Sequence, residues 1–238
     1  MTPEFWQSRW REGRIGFHKS EVNPLLTQYF TALELPVGSR VLVPLSGKSI
    51  DLAWLAAEGY DVVGIELIES AVQDFFTERG IVPAVTEYPE LEHAGHLEHI
   101  GHNPTIKRYQ GQLKDQTAGQ PVTIWAADIF SLTSDNIGPI DAVYDRAALI
   151  ALPANARAHY TEHLMRIARN ADGHLAPQLV VTLDYDQSQK EGPPFAVTAE
   201  EVKQYYSYYQ QITELTKEST TIGSAPDLQV TEHVWLLR

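Results

Sequence analysis

The chain reads as an α/β protein built on a mostly parallel sheet, and three observations carry that reading. Short runs rich in Val, Ile and Leu alternate with helical patterns along the 238 residues. The first such pair, VLVPLSGKSID at 41–51 followed by DVVGIE at 61–66, spells strand, loop, helix, strand. The second strand ends on a carboxylate, Glu66, nineteen positions beyond the loop glycine Gly47. At that spacing a β-α-β crossover delivers an acid to a ribose.

Taken in order, the N-terminal segment places Trp6 and Trp10 four residues apart, the spacing of neighbours on one helix face, with Phe17 and His18 following. These rings form either a satellite core or a lid over a site. Residues 41–43 read as a buried strand that opens at Pro44 into Leu45, Ser46, Gly47 and Lys48. Ile50, Ala53, Trp54 and Ala57 then recur at helical spacing. A helix is expected over 70–76, a strand over 122–126 leading to Asp128, and a strand over 141–144 leading to Asp145 and Arg146. An amphipathic helix over 157–169 would keep His159, His163 and Arg166 on wet faces. A strand over 179–183, a helix over 199–209 and a closing hairpin from 212–217 and 233–237 complete the pattern.

The stretch 92–121 interrupts the alternation with glycines, prolines and polar residues and reads as an insertion or an extended hairpin. His93, His96, His99 and His102 recur every three residues there. That spacing rotates around an α-helix, which Gly95 and Gly101 disfavour in any case, so a solvated loop is expected rather than a metal site.

Composition bounds the partners. With 43% apolar residues the chain can bury a sizeable core as one domain over 1–238, and a formal net charge of -13 argues against nucleic acid or an anionic membrane surface. The absence of cysteine excludes disulfides, thiolate metal sites and a cysteine nucleophile, so any thiol in the chemistry belongs to the substrate. The N-terminus is too polar for a secretory signal and no run of eighteen uncharged apolar residues occurs, from which a soluble, cytoplasmic protein is expected; a monomer is expected besides.

The loop separates cofactor classes. A dinucleotide fold needs G-x-G-x-x-G, but Gly47 is the only glycine between Val41 and Gly59. SGKS at 46–49 imitates the end of a phosphate-binding loop, yet Leu42 stands where its first glycine belongs. S-adenosylmethionine carries no phosphate and needs only a close backbone approach from Leu45 and Gly47, with an acid on the ribose. Glu66 supplies the acid, since a carboxylate accepts hydroxyl hydrogen bonds in a bidentate way; its alternative role is to cap the next helix. Lys48 reads as a solvated lysine. Asp128, with Ala127 and Ile129, stands where related folds hold an adenine, or else caps a helix. Asp145 and Arg146 are the candidate catalytic residues: Arg146 can pair with a carboxylate or an anionic substrate, with Asp145 orienting it or meeting an ammonium; the alternative is a structural Asp–Arg pair.

The segments WQSRWREGRIGFH (6–18), PLSGKSIDLAWLAAEGYDVVGIE (44–66), ADIF (127–130), YDRAALIALP (144–153) and GPPF (192–195) together resemble the thiopurine S-methyltransferase family of the bacterial type. The resemblance implies a Rossmann-like, seven-stranded, mostly parallel methyltransferase fold with a C-terminal antiparallel hairpin. It implies S-adenosylmethionine as co-substrate, no metal, and thiopurines as acceptors, with selenium or tellurium compounds as a bacterial association. It favours a lid over about 1–24, with Trp10 at the cofactor and Phe17 near the substrate ring, and it puts Arg146 in the active site. His18 is either a base or an ordinary hydrogen-bonded group. The stretch 217–228 carries no arginine where the resemblance would place one for substrate.

The chemistry so implied is an in-line displacement in which a thiolate or selenolate attacks the sulfonium methyl. Opposite charges neutralise in the transition state, so a dry site that holds the reactants at near-attack distance suffices without a strong base. Competing expectations are a halide or small-thiol methyltransferase of the same fold, and a non-catalytic module that binds S-adenosylmethionine.

Overall fold

The computed structural model describes residues 2–88, 106–113 and 120–238. Its contacts divide into two compact units, one comprising Thr2–Val22 and Pro36–Gly138, the other Asn23–Leu35 and Pro139–Arg238.

In the first unit, β1 (Arg40–Val43), β2 (Asp61–Glu66) and β5 (Val122–Ala126) run parallel, with β2 between the other two. Their residues are almost wholly buried, as expected of parallel strands covered on both faces. Between β1 and β2 runs α3 (Ile50–Ala57), capped by the Ser49 hydroxyl accepting from Asp51 N, and it packs on β2. After β2 comes α4 (Glu69–Thr77), which lays Ala71, Val72, Phe75 and Phe76 on β2 and β5. Phe75 and Phe76 are among the largest fully buried side chains, and removing such a ring to Ala costs about 3–5 kcal/mol. Two further strands, β3 (Ala84–Tyr88) and β4 (Ile106–Gly111), extend the β5 edge antiparallel. The unit also holds α1 (Pro3–Arg11), with proline in its first turn, Glu4 near its N-terminus and Arg9 and Arg11 near its C-terminus, and it ends in the short α5 (Ser134–Ile137).

In the second unit, β6 (Ala142–Arg146) pairs parallel with β7 (Gln178–Asp184), β7 pairs antiparallel with β9 (Ala225–Leu237), and β9 with β8 (Ile212–Ile222). This unit begins with α2 (Pro24–Tyr29), the 14-residue helix α6 (Ala154–Ile167) joins β6 to β7, and α7 (Ala199–Tyr205) precedes the hairpin with a reciprocal Thr198–Glu201 capping box.

The α/β class, the mostly parallel core and the C-terminal hairpin are as expected. Nine strands form among the described residues where seven were expected, the additions being β3 and β4. Three expectations are corrected. His163 is buried at 6% exposure, because α6 buries Arg157, Tyr160, Thr161 and Leu164 on the same broad stripe. The helix expected to reach Tyr209 ends at Tyr205, where the chain tightens into turns and the Tyr209 hydroxyl donates to Ala176 O. The hairpin strands are longer than expected, since alternating Thr, Glu and Lys on an edge strand mask its period. Within the expected insertion, Ile106–Gly111 is strand; His93, His96, His99 and His102 lie outside the described residues.

Candidate active site

The loop between β1 and α3 is built around two residues with positive φ, Leu45 at 46° and Gly47 at 53°. Glycine adopts this region freely, whereas leucine does not, so the surroundings hold Leu45 there. Ser46 N donates to Ile65 O at 2.9 Å, Ser49 N to Ser46 O at 3.2 Å, and Gly47 N to Glu66 Oε2 at 2.7 Å. Close approach is enforced on both sides. A Cβ added to Gly64 on β2 would stand 2.9 Å from the Ser46 hydroxyl, and one added to Gly47 would stand 3.2 Å from Cζ2 of Trp10.

Glu66, the last residue of β2, is 7% exposed. Its other oxygen accepts from Ile68 N at 2.7 Å, so it ties the β1 loop to the start of α4. Burial pushes its carboxyl up to about 7 against the pull of the backbone N–H groups of Ile68, Gly47 and Leu67. A carboxylate offers about four acceptor positions, so three such donors leave room for a hydroxyl. The helix-capping role and the ribose role are therefore compatible in this residue.

Asp128 lies close in the fold, because Glu66 pairs with Ala126 across the sheet and Ala127 N donates to Glu66 O at 2.9 Å. Its Oδ1 accepts from Phe130 N at 3.0 Å and caps the turn Ile129–Ser131, while Ile129 is buried beneath it. Lys48 turns away from the loop, with Nζ at 2.5 Å from Glu78 Oε1 and 3.5 Å from Asp74 Oδ2 on and beyond α4.

Over the loop lie the N-terminal rings. Trp10 meets Phe17 at 5.7 Å between centroids and Trp6 meets Phe17 at 5.9 Å, both edge to face, and Phe5 meets Trp6 at 5.2 Å. Yet α1 has no buried residue, and Phe17 and His18 are half-buried. The structure thus brings Trp10, Leu45, Gly47, Glu66, Asp128 and Ile129 together in one unit, with Phe17 against Trp10.

Asp145 and Arg146 belong to the other unit, at the carboxyl end of β6. Their side chains are unlike. Arg146 is half-buried, whereas the Asp145 carboxylate is fully withdrawn from solvent: Oδ2 accepts from the Tyr160 hydroxyl at 2.7 Å and Oδ1 from Leu149 N at 3.1 Å. Burial pushes the Asp145 carboxyl up to about 6. Ala147, which follows Arg146, has φ 64°. Sequence reasoning missed Tyr160 and Ala147. No local pattern joins a helix tyrosine to an aspartate fifteen residues earlier, and alanine carries no mark of a left-handed turn.

The residues fit S-adenosylmethionine better than a phosphate-bearing cofactor. The β1-loop N–H groups of Ser46, Gly47 and Ser49 are already bonded within the fold, so they cannot cradle an anion, and Lys48 is committed to two acids. What the loop offers instead is a close glycine with the Trp10 ring against it and a carboxylate with acceptor capacity. The buried Ser46 hydroxyl has no hydrogen-bond partner. Among the described residues no group of three or more His, Cys, Asp or Glu is arranged to hold a metal.

Comparison with known proteins agrees with this geometry. The chain matches the thiopurine S-methyltransferase family over residues 1–237. It is 48% identical over 237 residues to the thiopurine S-methyltransferase of Psychrobacter cryohalolentis, covering 100% of this chain and 99% of that one. With the enzyme of Pseudomonas syringae pv. pisi it shares 40% identity over 242 residues, again covering 100% and 99%. Among solved structures, an S-adenosylmethionine-dependent methyltransferase of Methanosarcina mazei superposes with a TM-score of 0.57 at 13% identity, over 92% of this chain and 98% of that one. The 1,6-didemethyltoxoflavin-N1-methyltransferase of Burkholderia thailandensis, solved with bound 1,6-didemethyltoxoflavin and S-adenosylhomocysteine, also gives 0.57 at 13% identity, over 99% and 86%. These two likenesses show the shared fold.

Proposed function

The chain belongs to the thiopurine S-methyltransferase family, and on that premise we propose that it methylates the sulfur of thiopurines or related heterocyclic thiols, with selenium or tellurium compounds as further acceptors. The observation that carries the reading is Glu66: a buried carboxylate at the end of β2, tied by Gly47 N and Ile68 N, with acceptor capacity left over for a ribose hydroxyl.

When bound, S-adenosylmethionine supplies an electrophilic methyl group on a sulfonium. The chain's own residues position and shield. Glu66 holds the ribose, Leu45 and Gly47 present backbone to the methionine portion, and Asp128 with Ile129 flanks the adenine. Trp10 covers the loop, and Phe17 gives the acceptor ring an aromatic edge, with His18 beside it as a hydrogen-bonding group. Arg146 serves an anionic group of the cofactor or the acceptor, with a planar fork suited to a carboxylate. Exclusion of water by the N-terminal rings favours a displacement in which opposite charges cancel. The same proposal has the protein act as a cytoplasmic monomer on a small molecule, in keeping with a net charge of -13 that disfavours anionic surfaces. No described helix is long and apolar enough to cross a membrane.

Transfer of labelled methyl from S-adenosylmethionine to 6-mercaptopurine, compared with iodide and selenite, tests the reading. Preferred transfer to the thiopurine is expected. Preference for iodide would make the protein a halide methyltransferase, and cofactor binding without transfer to any acceptor would make it a binding module.

A further inference from the structure

The turn that follows β6 is held in an unfavourable conformation by a residue with no exposure to solvent. Arg146 is the last residue of the strand, and Ala147 directly after it sits at φ 64°, a region that disfavours alanine but not glycine. The chain then enters the short turn Leu149–Ala151. Asp145, immediately before Arg146, reaches across this bend: its Oδ1 accepts from Leu149 N at 3.1 Å, and Ala148 N–H points at the same carboxylate. Its Oδ2 is in turn gripped at 2.7 Å by the hydroxyl of Tyr160, a fully buried residue of α6. Asp145, Ala148, Leu149 and Tyr160 all have 0% exposure, so this carboxylate is spent on the protein's own donors.

The far end of the turn is anchored separately. Phe195 N donates to Ile150 O at 2.7 Å, and the buried Arg157 donates to Leu152 O at 3.0 Å and to Ala196 O at 2.8 Å. The near end, beside Arg146, is the part that Asp145 and Tyr160 restrain.

The geometry points to Asp145 and Tyr160 as positioning residues for Arg146: the Tyr160–Asp145 pair clamps the left-handed bend at Ala147, and the bend sets the direction of the guanidinium. This rests on the reading of Arg146 as a binding residue given above. A strand-end arginine alternates sides with its neighbour, so the face that buries Asp145 is the one Arg146 turns from. If the clamp is lost, Ala147 relaxes toward negative φ and the arginine loses its direction, although its charge remains.

The test is a double-mutant cycle read by calorimetric binding of S-adenosylhomocysteine well below the melting temperature, alongside KM and kcat for a thiopurine. Asp145→Ala should weaken binding by at least about fivefold, a coupling of the size expected for residues in direct mechanical contact. Because it acts through the arginine, Asp145→Ala combined with Arg146→Ala should be no weaker than Arg146→Ala alone. Adding Ala147→Gly to Asp145→Ala should restore part of the loss, since glycine enters the bend without the clamp. Asp145→Asn, which keeps an acceptor for Leu149, should hold binding within about threefold of wild type and guards against a variant that fails to fold. Additive losses of Asp145→Ala and Arg146→Ala, or no recovery with Ala147→Gly, overturn the positioning role while leaving Arg146 in place. Wild-type binding and turnover in Arg146→Ala overturn both that role and the reading of Arg146 on which it rests.

Discussion

Two carboxylates stand near the ends of parallel strands, Glu66 on β2 and Asp145 on β6, and they look alike until their remaining acceptor capacity is compared. Both are buried, both have carboxyls pushed up by burial, to about 7 and about 6, and both accept backbone N–H groups of a bend that contains a positive-φ residue other than glycine. Glu66 accepts from backbone donors and keeps 7% exposure, whereas Asp145 has none and gives one oxygen to a tyrosine. The difference teaches that a raised carboxyl marks a constrained site without saying what it does. Access to the remaining lone pairs decides between holding a ligand and holding the protein.

The largest effect expected from this contrast is on stability. Asp145→Ala leaves the Tyr160 hydroxyl and the Leu149 and Ala148 N–H groups unsatisfied where water cannot reach. At pH 5 it should cost at least about 3 kcal/mol, given about 1–3 for each of these three buried groups left unpaired. Chemical denaturation is the measurement. A loss for Glu66→Ala equal to that for Asp145→Ala would erase the distinction between the two.

For Glu66 the effect should appear in affinity. Glu66→Ala should weaken S-adenosylhomocysteine binding by about 1.5–3 kcal/mol, the range for hydrogen bonds to a charged acceptor. Calorimetry on the folded variant that returns wild-type affinity would remove the residue from the site and leave it as the cap of α4.

How far each half of the contrast was legible follows from where its partners lie in the chain. The place of Glu66 at a strand end was legible because a crossover fixes the distance from Gly47 to the next strand end, and β2 forms at residues 61–66 around the apolar Val62, Val63 and Ile65. Gly47 lies nineteen residues from Glu66, but a β-α-β crossover sets that separation in advance, so the pairing leaves a signal in the sequence. Asp145 was visible as a strand-end acid but its hydrogen bonds were not, because its partner Tyr160 lies on the following helix and the positive φ beside it falls on an alanine. His163 failed for a related reason: a polar residue on a long helix reads as wet, and only tertiary packing buries it. The hairpin fared better in existence than in extent, since turns mark its ends weakly and edge strands carry charge.

A smaller effect separates the two carboxylates by pH. A carboxyl raised by folding contributes stability that is complete below its unfolded-state value and is lost as pH rises through its folded-state value. Asp145 should lose its contribution through about 6 and Glu66 through about 7. The upper scale of that loss is roughly 1.4 kcal/mol for each tenfold difference in proton affinity between the folded and unfolded chain. Melts of wild type against Asp145→Asn and Glu66→Gln between about pH 5 and 8 should therefore show the variants gaining on wild type as pH rises. Ligand binding distinguishes them further. A ribose hydroxyl donates best to the ionised form, so S-adenosylhomocysteine affinity should rise toward pH 7 in wild type and lose that slope in Glu66→Gln. An unchanged slope in that variant would detach Glu66 from the ligand.

The smallest expected change in stability concerns the rings that cover the Glu66 side. They are large, yet α1 has no buried residue and Phe17 is half-buried, so their edge-to-face contacts are made near solvent. Phe75 on α4 has the same ring in a fully buried position. Phe75→Ala should cost about 3–5 kcal/mol, while Phe17→Ala should cost less than about 1 kcal/mol in the ligand-free protein, because a segment that opens for exchange contributes little to global stability. Transfer to a thiopurine should nonetheless fall strongly in Phe17→Ala, since closure both excludes water and completes the site. Residues 5–18 should also gain hydrogen-exchange protection when S-adenosylhomocysteine binds. Stability losses of similar size for the two phenylalanines, with protection of 5–18 indifferent to ligand, would make these rings a satellite core and leave Glu66 without a lid.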